Sequence, residues 1–212
     1  MSHTPGVRQV QKQQSRRALL DAGLRLLEDR NLSSLGVREV TREAGMSPAG
    51  FYRHFTDLSA LAVVLVEESL ASLHAMIRAA FAGGGDGGAD DDPEPVIDRA
   101  VAVVAEHVRD HRAHARFLAR ERHGGVRAVR EAIGAELHRF VDEVAAALAA
   151  QPLSAGWPAA DVRMLAELYV DRMVSTAAEL LEADAESEAR ITATVRTQLR
   201  LISVGRRHWR EG

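Results

Sequence analysis

The chain contains no cysteine, few aromatic residues and no long uninterrupted run of hydrophobic residues. Without cysteine it has no disulfide framework, no thiolate metal site and no cysteine nucleophile. No apolar run approaches the roughly 18 residues that a membrane-spanning helix needs. The N-terminus also lacks the charged start and apolar core of a signal peptide. These absences predict a cytoplasmic protein with no membrane partner.

Helical periodicity dominates the chain, and no convincing alternating strand interrupts it. We therefore predict an all-α fold of nine helices. A domain at residues 1–56 is followed by a larger one at 57–212, and the acidic, glycine-rich segment 82–95 is predicted to be a flexible loop. The predicted helices cover residues 15–31, 37–44, 48–55, 58–81, 96–108, 111–122, 125–150, 160–183 and 186–209.

Residues 37–55, VREVTREAGMSPAGFYRHF, have the pattern of a helix-turn-helix. Gly45 suits the left-handed position that ends the first helix, and Ser47 suits the N-cap of the second. Phe51 and Phe55 are spaced as buried anchors, which leaves Gly50, Tyr52, Arg53 and His54 on the outer side. Such an outer face fits a DNA major groove, although an ordinary helical hairpin has the same pattern.

Charge is divided unevenly along the chain, whose net charge is only -3. Residues 1–56 hold nine Lys or Arg against five Asp or Glu (+4), whereas residues 57–212 hold 18 against 25 (-7). The helix-turn-helix lies in the basic part. Arg16 and Arg17 of the first helix are therefore candidates for contacts with the phosphate backbone, with solvated surface charges as the alternative.

The helix-turn-helix segment resembles the DNA-binding segment of TetR-family transcriptional regulators, which implies a nine-helix fold and a homodimer on operator DNA. By that resemblance Arg38, Ser47, Ala49 and Gly50 fall at base contacts, and Tyr52 and His54 at phosphate contacts. Arg53 is a further candidate for reading bases. Residues 116–130, RFLARERHGGVRAVR, and the ending QLRLISVGRRHWR are similar to the FabR and DesT repressors.

The FabR and DesT resemblance implies a sensor of long-chain acyl-CoA that controls fatty acid synthesis or desaturation. Such a ligand needs an apolar tunnel and cations for its phosphates. The candidates are Arg116, Leu118, Arg120, Ile133, Leu137, Phe140, Met164, Leu168 and Met173. Arg120 with its neighbours Glu121 and Arg122 equally suits a structural ion-pair cluster at a helix end.

Apolar stripes on the last two helices predict a four-helix interface across a two-fold axis. Two recognition helices would then meet a pseudo-palindromic operator about one duplex turn apart. The same stripes equally suit packing within one subunit. The predicted interface residues are Val162, Leu165, Tyr169, Ile191, Val195, Leu199, Ile202 and Trp209.

Other functions stay open. His107, His111, His114 and His123 have a spacing that can hold a metal, but Asp110 indicates a helix break and no HExxH pattern is present. No nucleophile elbow accompanies these histidines, so we expect no enzyme activity, no cofactor and no metal. A repressor of an efflux or catabolic gene that senses another hydrophobic molecule is the main alternative, and a helical adaptor is a third.

Overall fold

The computed structural model describes residues 5–82 and 94–208. Within those ranges it has nine α-helices, two short 3₁₀ turns and no strand, which confirms the predicted all-α fold. The 3₁₀ turns are Leu32–Ser34 and Pro152–Ser154. The helices are α1 (Pro5–Leu27), α2 (Val37–Glu43), α3 (Pro48–Phe51), α4 (Leu58–Ala82), α5 (Glu94–Asp110), α6 (Arg112–Glu121), α7 (Arg127–Ala149), α8 (Ala159–Leu181) and α9 (Ala185–His208).

Most predicted helix bounds agree within three residues, and the main differences lie at α1 and α3. Helix α1 begins ten residues before the predicted start. The sequence did not indicate these first turns because they are polar and exposed and carry no apolar stripe. Helix α3 ends at Phe51 and continues as a turn, in which the His54 N–H donates to the Phe51 carbonyl at 2.8 Å. Most of the predicted loop, residues 83–93, lies outside the described residues.

The chain forms two compact units, and helices α4, α6 and α7 each run from one unit into the other. The first unit comprises residues 1–68 and 116–134, and the second comprises residues 69–115 and 135–212. The first unit therefore holds the helix-turn-helix together with the end of α6 and the start of α7. The predicted division into a DNA-binding domain at residues 1–56 and a ligand-binding and dimerisation domain at residues 57–212 stays a prediction.

In the first unit, two charged residues at the end of α6 hold the backbone between α1 and α2. Glu121 is 1% exposed, and its Oε1 accepts the N–H of Leu32 at 2.8 Å. The Arg120 guanidinium donates to the carbonyls of Leu27 and Arg30, both at 3.1 Å. These carbonyls follow the C-terminus of α1, where a cation is favourable. Arg120 thus forms hydrogen bonds with backbone carbonyls of its own unit.

A glycine beside this carboxylate gives a test of the arrangement. A Cβ on Gly124 would lie 2.2 Å from Glu121 Oε2, whereas the nearest atom to a Cβ on Gly125 is 3.8 Å away. We expect Gly124→Ala to displace the carboxylate and leave the Leu32 N–H without its partner, which lowers the free energy of unfolding by about 2 kcal/mol. Gly125→Ala should cost less than about 0.5 kcal/mol. Equal urea midpoints for the two variants would contradict this account.

In the second unit, α5, α8 and α9 pack on one another, and α7 packs on α8. Val162 and Leu165 form a cluster with Val141 and Val144, while Val195 and Leu199 form another with Ile97 and Val101 on α5. Val162, Leu165, Val195 and Leu199 are therefore buried within their own chain, and Tyr169, Ile191 and Ile202 pack against the same clusters but are only partly buried. Their predicted role in a dimer interface stays a prediction, and Trp209 lies outside the described residues.

A buried histidine joins α4 to α7 within the second unit. His74 Nε2 lies 3.1 Å from Glu136 Oε2, and its Nδ1 lies 3.1 Å from Glu143 Oε2. The imidazole stacks on Phe140 with ring centroids 3.6 Å apart. Arg139 bonds to Glu136, and Arg78 bonds to Glu143 at 2.8 Å. The network satisfies the buried carboxylate of Glu136 and holds Phe140 in a packing role.

A buried arginine near the end of α9 forms hydrogen bonds with the segment that connects α7 to α8. Arg206 is 6% exposed and donates to the Leu148 carbonyl at 3.3 Å, to Gln151 Oε1 at 2.6 Å and to the Ser154 hydroxyl. Its guanidinium also lies 6.0 Å from the ring centroid of Trp157. Because the 3₁₀ turn Pro152–Ser154 has few backbone bonds of its own, this side chain fixes its path.

Helix α4 has the length and mean hydropathy, 1.6 over residues 58–79, of a membrane span. Within the described ranges it is the one helix with both properties, which buried core helices also have. Glu67 and Glu68 interrupt its apolar sequence, and Leu61, Leu65 and Val66 are buried. We interpret α4 as a core helix.

Candidate nucleic-acid interface

The turn between α2 and α3 is built by local signals in the sequence. Gly45 has φ 65°, a conformation that glycine adopts without steric cost, and the Met46 N–H donates to the Thr41 carbonyl at 2.8 Å. Ser47 caps α3 because its hydroxyl accepts the Gly50 N–H at 3.2 Å, and Pro48 occupies the first turn. The predicted turn and N-cap are confirmed.

Aromatic side chains on the buried side of α3 hold this helix in place. Phe51 is fully buried and Phe55 is 5% exposed, and their ring centroids lie 5.7 Å apart. Tyr52 packs edge-on against Phe51 yet is 60% exposed. The buried anchors therefore turn the Tyr52 side chain outward, where a phosphate or a base can reach it.

Most of the predicted DNA contacts are accessible, and one is not. Exposed residues are Arg17, Arg38, Ser47, Ala49, Tyr52 and Arg53. Gly50 is buried, which corrects its predicted position on the outer side: a Cβ there would lie 3.1 Å from Met46 Cε. The helix turn brings Gly50 over Met46, so its role is to allow close packing. His54 and Arg16 are partly buried.

Ion pairs hold the two α1 arginines that were predicted to contact phosphate. Arg17 Nη1 lies 3.1 Å from Glu68 Oε2, and Arg17 Nε lies 2.8 Å from Asp21 Oδ1. Arg16 lies 3.8 Å from Glu68, and its guanidinium stands 5.3 Å from the centre of the Phe55 ring. Exposed ion pairs are weak. A phosphate can therefore compete for Arg17, although it has to displace Glu68.

His54 lies in a positive local field. Partial burial, followed by the charges of Lys12, Arg53 and Arg16, lowers the pKa of the His54 imidazole. Its Nδ1 is buried and has no hydrogen-bond partner within the described part of the chain. Cations from α1 and from the α3 turn thus act on the same group. That convergence is the electrostatic signature expected of a surface for phosphates.

The nine predicted ligand residues are divided between the two units. Arg116, Leu118, Arg120 and Ile133 belong to the first unit, and the other five belong to the second. Met164 and Leu168 are 41% and 50% exposed, so they do not line an interior tunnel in this chain. The other three predicted ligand residues in the second unit are Leu137, Phe140 and Met173.

The predicted phosphate-binding arginines have other partners. Arg116 lies 3.7 Å from Glu28, and Arg120 is bonded to backbone carbonyls. Arg120 and Glu121 thus have structural partners, but these are backbone groups rather than the ion-pair cluster that the sequence suggested. A cleft of about 560 Å³ on α5 and α9 is lined by Asp98, Arg99, Ala102 and Arg196, which include none of the predicted ligand residues.

Comparison with known proteins bears on the helix-turn-helix directly. Residues 19–63 match the family model of bacterial regulatory proteins, tetR family. This segment is thus similar to the N-terminal domain of that family. The match spans the end of α1 through the first turns of α4, and it includes the predicted DNA contacts from Arg38 to His54.

Solved structures share the fold of this chain along most of its length. A protein from Syntrophomonas wolfei assigned to the TetR-family transcriptional regulators aligns with TM-score 0.73 and 12% identity, over 91% of this chain and 96% of that one. The fatty acid degradation regulator FadR from Bacillus halodurans aligns with TM-score 0.65 and 13% identity, over 95% and 96%. AibR, solved with isovaleryl coenzyme A and operator DNA, aligns with TM-score 0.62 and 14% identity, over 87% and 97%.

The depressed pKa of His54 gives a pH-dependent prediction. A DNA phosphate beside His54 would raise the pKa of the imidazole, so the complex would hold more protons than the free protein. We therefore expect DNA affinity to increase as pH falls from about 8 to about 6, by at most about tenfold per pH unit for one proton. Fluorescence anisotropy measures this slope.

His54→Gln should flatten the pH dependence of DNA affinity, whereas His123→Gln, a substitution at an exposed histidine of the same unit, should keep it. The depressed pKa also means that the free fold loses stability as pH falls below about 6.5. Thermal melts at each pH therefore accompany the titration. A slope that His54→Gln leaves intact would exclude His54 as the group that takes up the proton.

Proposed function

We propose that this protein is a ligand-responsive transcriptional regulator, a repressor that binds a pseudo-palindromic operator as a homodimer. The observation that carries the proposal is the capped helix-turn-helix, which lies in a TetR-family segment and leaves Arg38, Tyr52 and Arg53 exposed. The positive field at His54 supports it. A regulator of this kind acts in the cytoplasm and has no catalytic role.

Arg38 and Arg53 are the side chains we assign to base recognition. Both are exposed, with Arg38 in the first turn of α2 and Arg53 in the turn after α3. Ala49 is small, and Gly50 is packed over Met46, so direct reading by the start of α3 is sparse. Discrimination then rests on the two arginines, on methyl contacts and on DNA shape.

Substitution of Arg38 tests this assignment. An arginine that bonds a guanine in two places contributes about 1–3 kcal/mol of discrimination. We expect Arg38→Ala to relax preference at one operator position in each half-site, as measured by selection from a palindrome library. Arg127→Ala removes an exposed arginine of α7 that pairs with Glu131, and it should leave the preference unchanged. An identical selected sequence for Arg38→Ala and the unmodified protein would contradict the assignment.

For the dimer we propose a surface different from the stripe predicted from sequence. Four of the six large exposed hydrophobic residues within the described ranges lie on the last two helices. Met164 and Leu168 are four apart on α8, and Leu201 and Val204 are three apart on α9, so each pair shares a helical face. Leu201 is 70% exposed, and a second subunit on this surface would remove its apolar side chain from water.

Charged substitutions on this surface should separate the subunits. Leu168→Arg with Leu201→Arg places two buried charges in the proposed interface, so we expect a monomer in light scattering after gel filtration. Operator affinity should fall with it, because one recognition helix reaches only one half-site. Ala135→Arg, at an exposed position of α7, is the matched control and should stay dimeric. A dimeric double variant would place the interface elsewhere.

The effector we propose is a long-chain acyl-CoA, and the regulated genes are those of fatty acid synthesis or desaturation. Support comes from the similarity of residues 116–130 to FabR and DesT and from fold likeness to a fatty acid degradation regulator and to AibR, solved with isovaleryl coenzyme A. Because Arg116 and Arg120 have other partners, the coenzyme phosphates need different cations.

Ligand control requires that the effector prefer one conformational state over another. Moving an equilibrium from about 1:99 to 99:1 takes about 5.5 kcal/mol of differential affinity. Helix α4 runs from the helix-turn-helix unit into the other unit, so it is the element we propose to carry the change. Saturated and unsaturated chains that fit the two states differently would shift DNA affinity in opposite directions.

Operator binding with and without acyl-CoA tests the effector. Anisotropy on a selected palindrome, repeated with saturated and unsaturated long-chain acyl-CoA, should show opposite shifts. Tight DNA binding that neither ligand changes would support a transcriptional regulator and exclude long-chain acyl-CoA as its effector. A repressor of an efflux or catabolic gene that senses another hydrophobic molecule would then be the better proposal.

A further inference from the structure

Three histidines lie on one face where α5 passes into α6. His107, His111 and His114 are spaced i, i+4 and i+7, which places them on a common helical face. The His111 N–H donates to the His107 carbonyl at 2.9 Å, and the Ala115 N–H donates to the His111 carbonyl at 3.0 Å. Helical bonding therefore continues past Asp110, where the sequence indicated a break. All three histidines belong to the second unit.

The imidazole rings are close enough to share an ion. The ring centroids of His107 and His111 are 4.8 Å apart, and those of His111 and His114 are 6.0 Å apart. A ring nitrogen binds Zn²⁺ at about 2.0–2.1 Å, so two ring centroids on a tetrahedral ion lie roughly 5 Å apart. The separation of His107 and His111 is near that value, whereas that of His111 and His114 exceeds it by about 1 Å, so the His114 ring has to move closer to share the ion.

His107 is an unsatisfied buried side chain. It is 7% exposed, and neither Nδ1 nor Nε2 has a hydrogen-bond partner among residues 5–82 and 94–208. Buried polar atoms without a partner are rare and call for an explanation. Burial, then the neighbouring His111 and His114, lowers the pKa of His107 to about 4.

The arginines beside the cluster have partners on other helices. Arg109 bonds to Glu188 at the start of α9, and Arg112 donates to the Leu181 carbonyl at the end of α8. These contacts account for the two guanidinium groups without involving the imidazoles. His111 is exposed and His114 is partly buried, so an ion can approach from the side of His111.

We propose that His107, His111 and His114 bind one divalent late-transition-metal ion, with Zn²⁺ as its representative. As they stand, no three metal-binding side chains of the described ranges are arranged to hold a metal ion. The proposal therefore requires the side chains of His111 and His114 to rotate toward His107 when the ion binds. A set of imidazoles without carboxylates selects Zn²⁺, Ni²⁺ or Cu²⁺ over Mg²⁺ and Ca²⁺.

Equilibrium dialysis of the tag-free full chain against Zn²⁺ tests the proposal. We expect one zinc ion per chain that excess Mg²⁺ does not displace. His111→Ala and His114→Ala should each weaken binding at least about tenfold, because each removes one of three ligands. Zn²⁺ should also raise the melting temperature of the unmodified protein, since it binds the folded chain.

The matched control carries His123→Ala and His138→Ala, which remove two exposed histidines outside the cluster. It should keep both the zinc stoichiometry and the thermal shift. His111 is exposed, so its replacement leaves the core intact, and circular dichroism of the zinc-free variant verifies the fold. Zinc binding that survives His111→Ala and His114→Ala, or that the control loses equally, would overturn the proposal. Operator binding is measured separately and does not affect this outcome.

Discussion

The structure depends on charged side chains that are buried against the backbone of helix connections. A helix end leaves carbonyl and N–H groups without intrahelical partners, and a buried end has no water to satisfy them. Glu121 supplies the acceptor for Leu32, and Arg120 supplies donors after α1. Arg206 does the same between α7 and α8. Each unit therefore holds its connections through residues distant in sequence.

The helix-turn-helix could be predicted from the sequence because its signals are local. The conformation of Gly45, the cap by Ser47 and the burial of Phe51 depend on neighbours within a few residues. The nine helices were predictable for the same reason, since each carries its own apolar period. The start of α1 was not, because its polar turns have no such period. Its cations nevertheless matter, because Lys12 contributes to the field at His54.

Partners distant in sequence were the part that could not be predicted. A stripe such as Val162 and Leu165 shows that a helix face is covered, but not whether the cover is the same chain or a second one. Here α7 covers it. The guanidinium of Arg120 likewise suits a phosphate or a carbonyl equally well. Gly50 has no side chain to give a signal, so its burial over Met46 depends on the turn that precedes it.

The packing of Trp157 has a spectroscopic consequence. The chain contains two tryptophans, and Trp157 lies beside the Arg206 guanidinium and against the cluster of α7 and α8. Indole emission responds to nearby charge and to solvent. The protein thus carries an intrinsic fluorophore at the connection between these helices, and any rearrangement of Arg206 would change its emission without an added label.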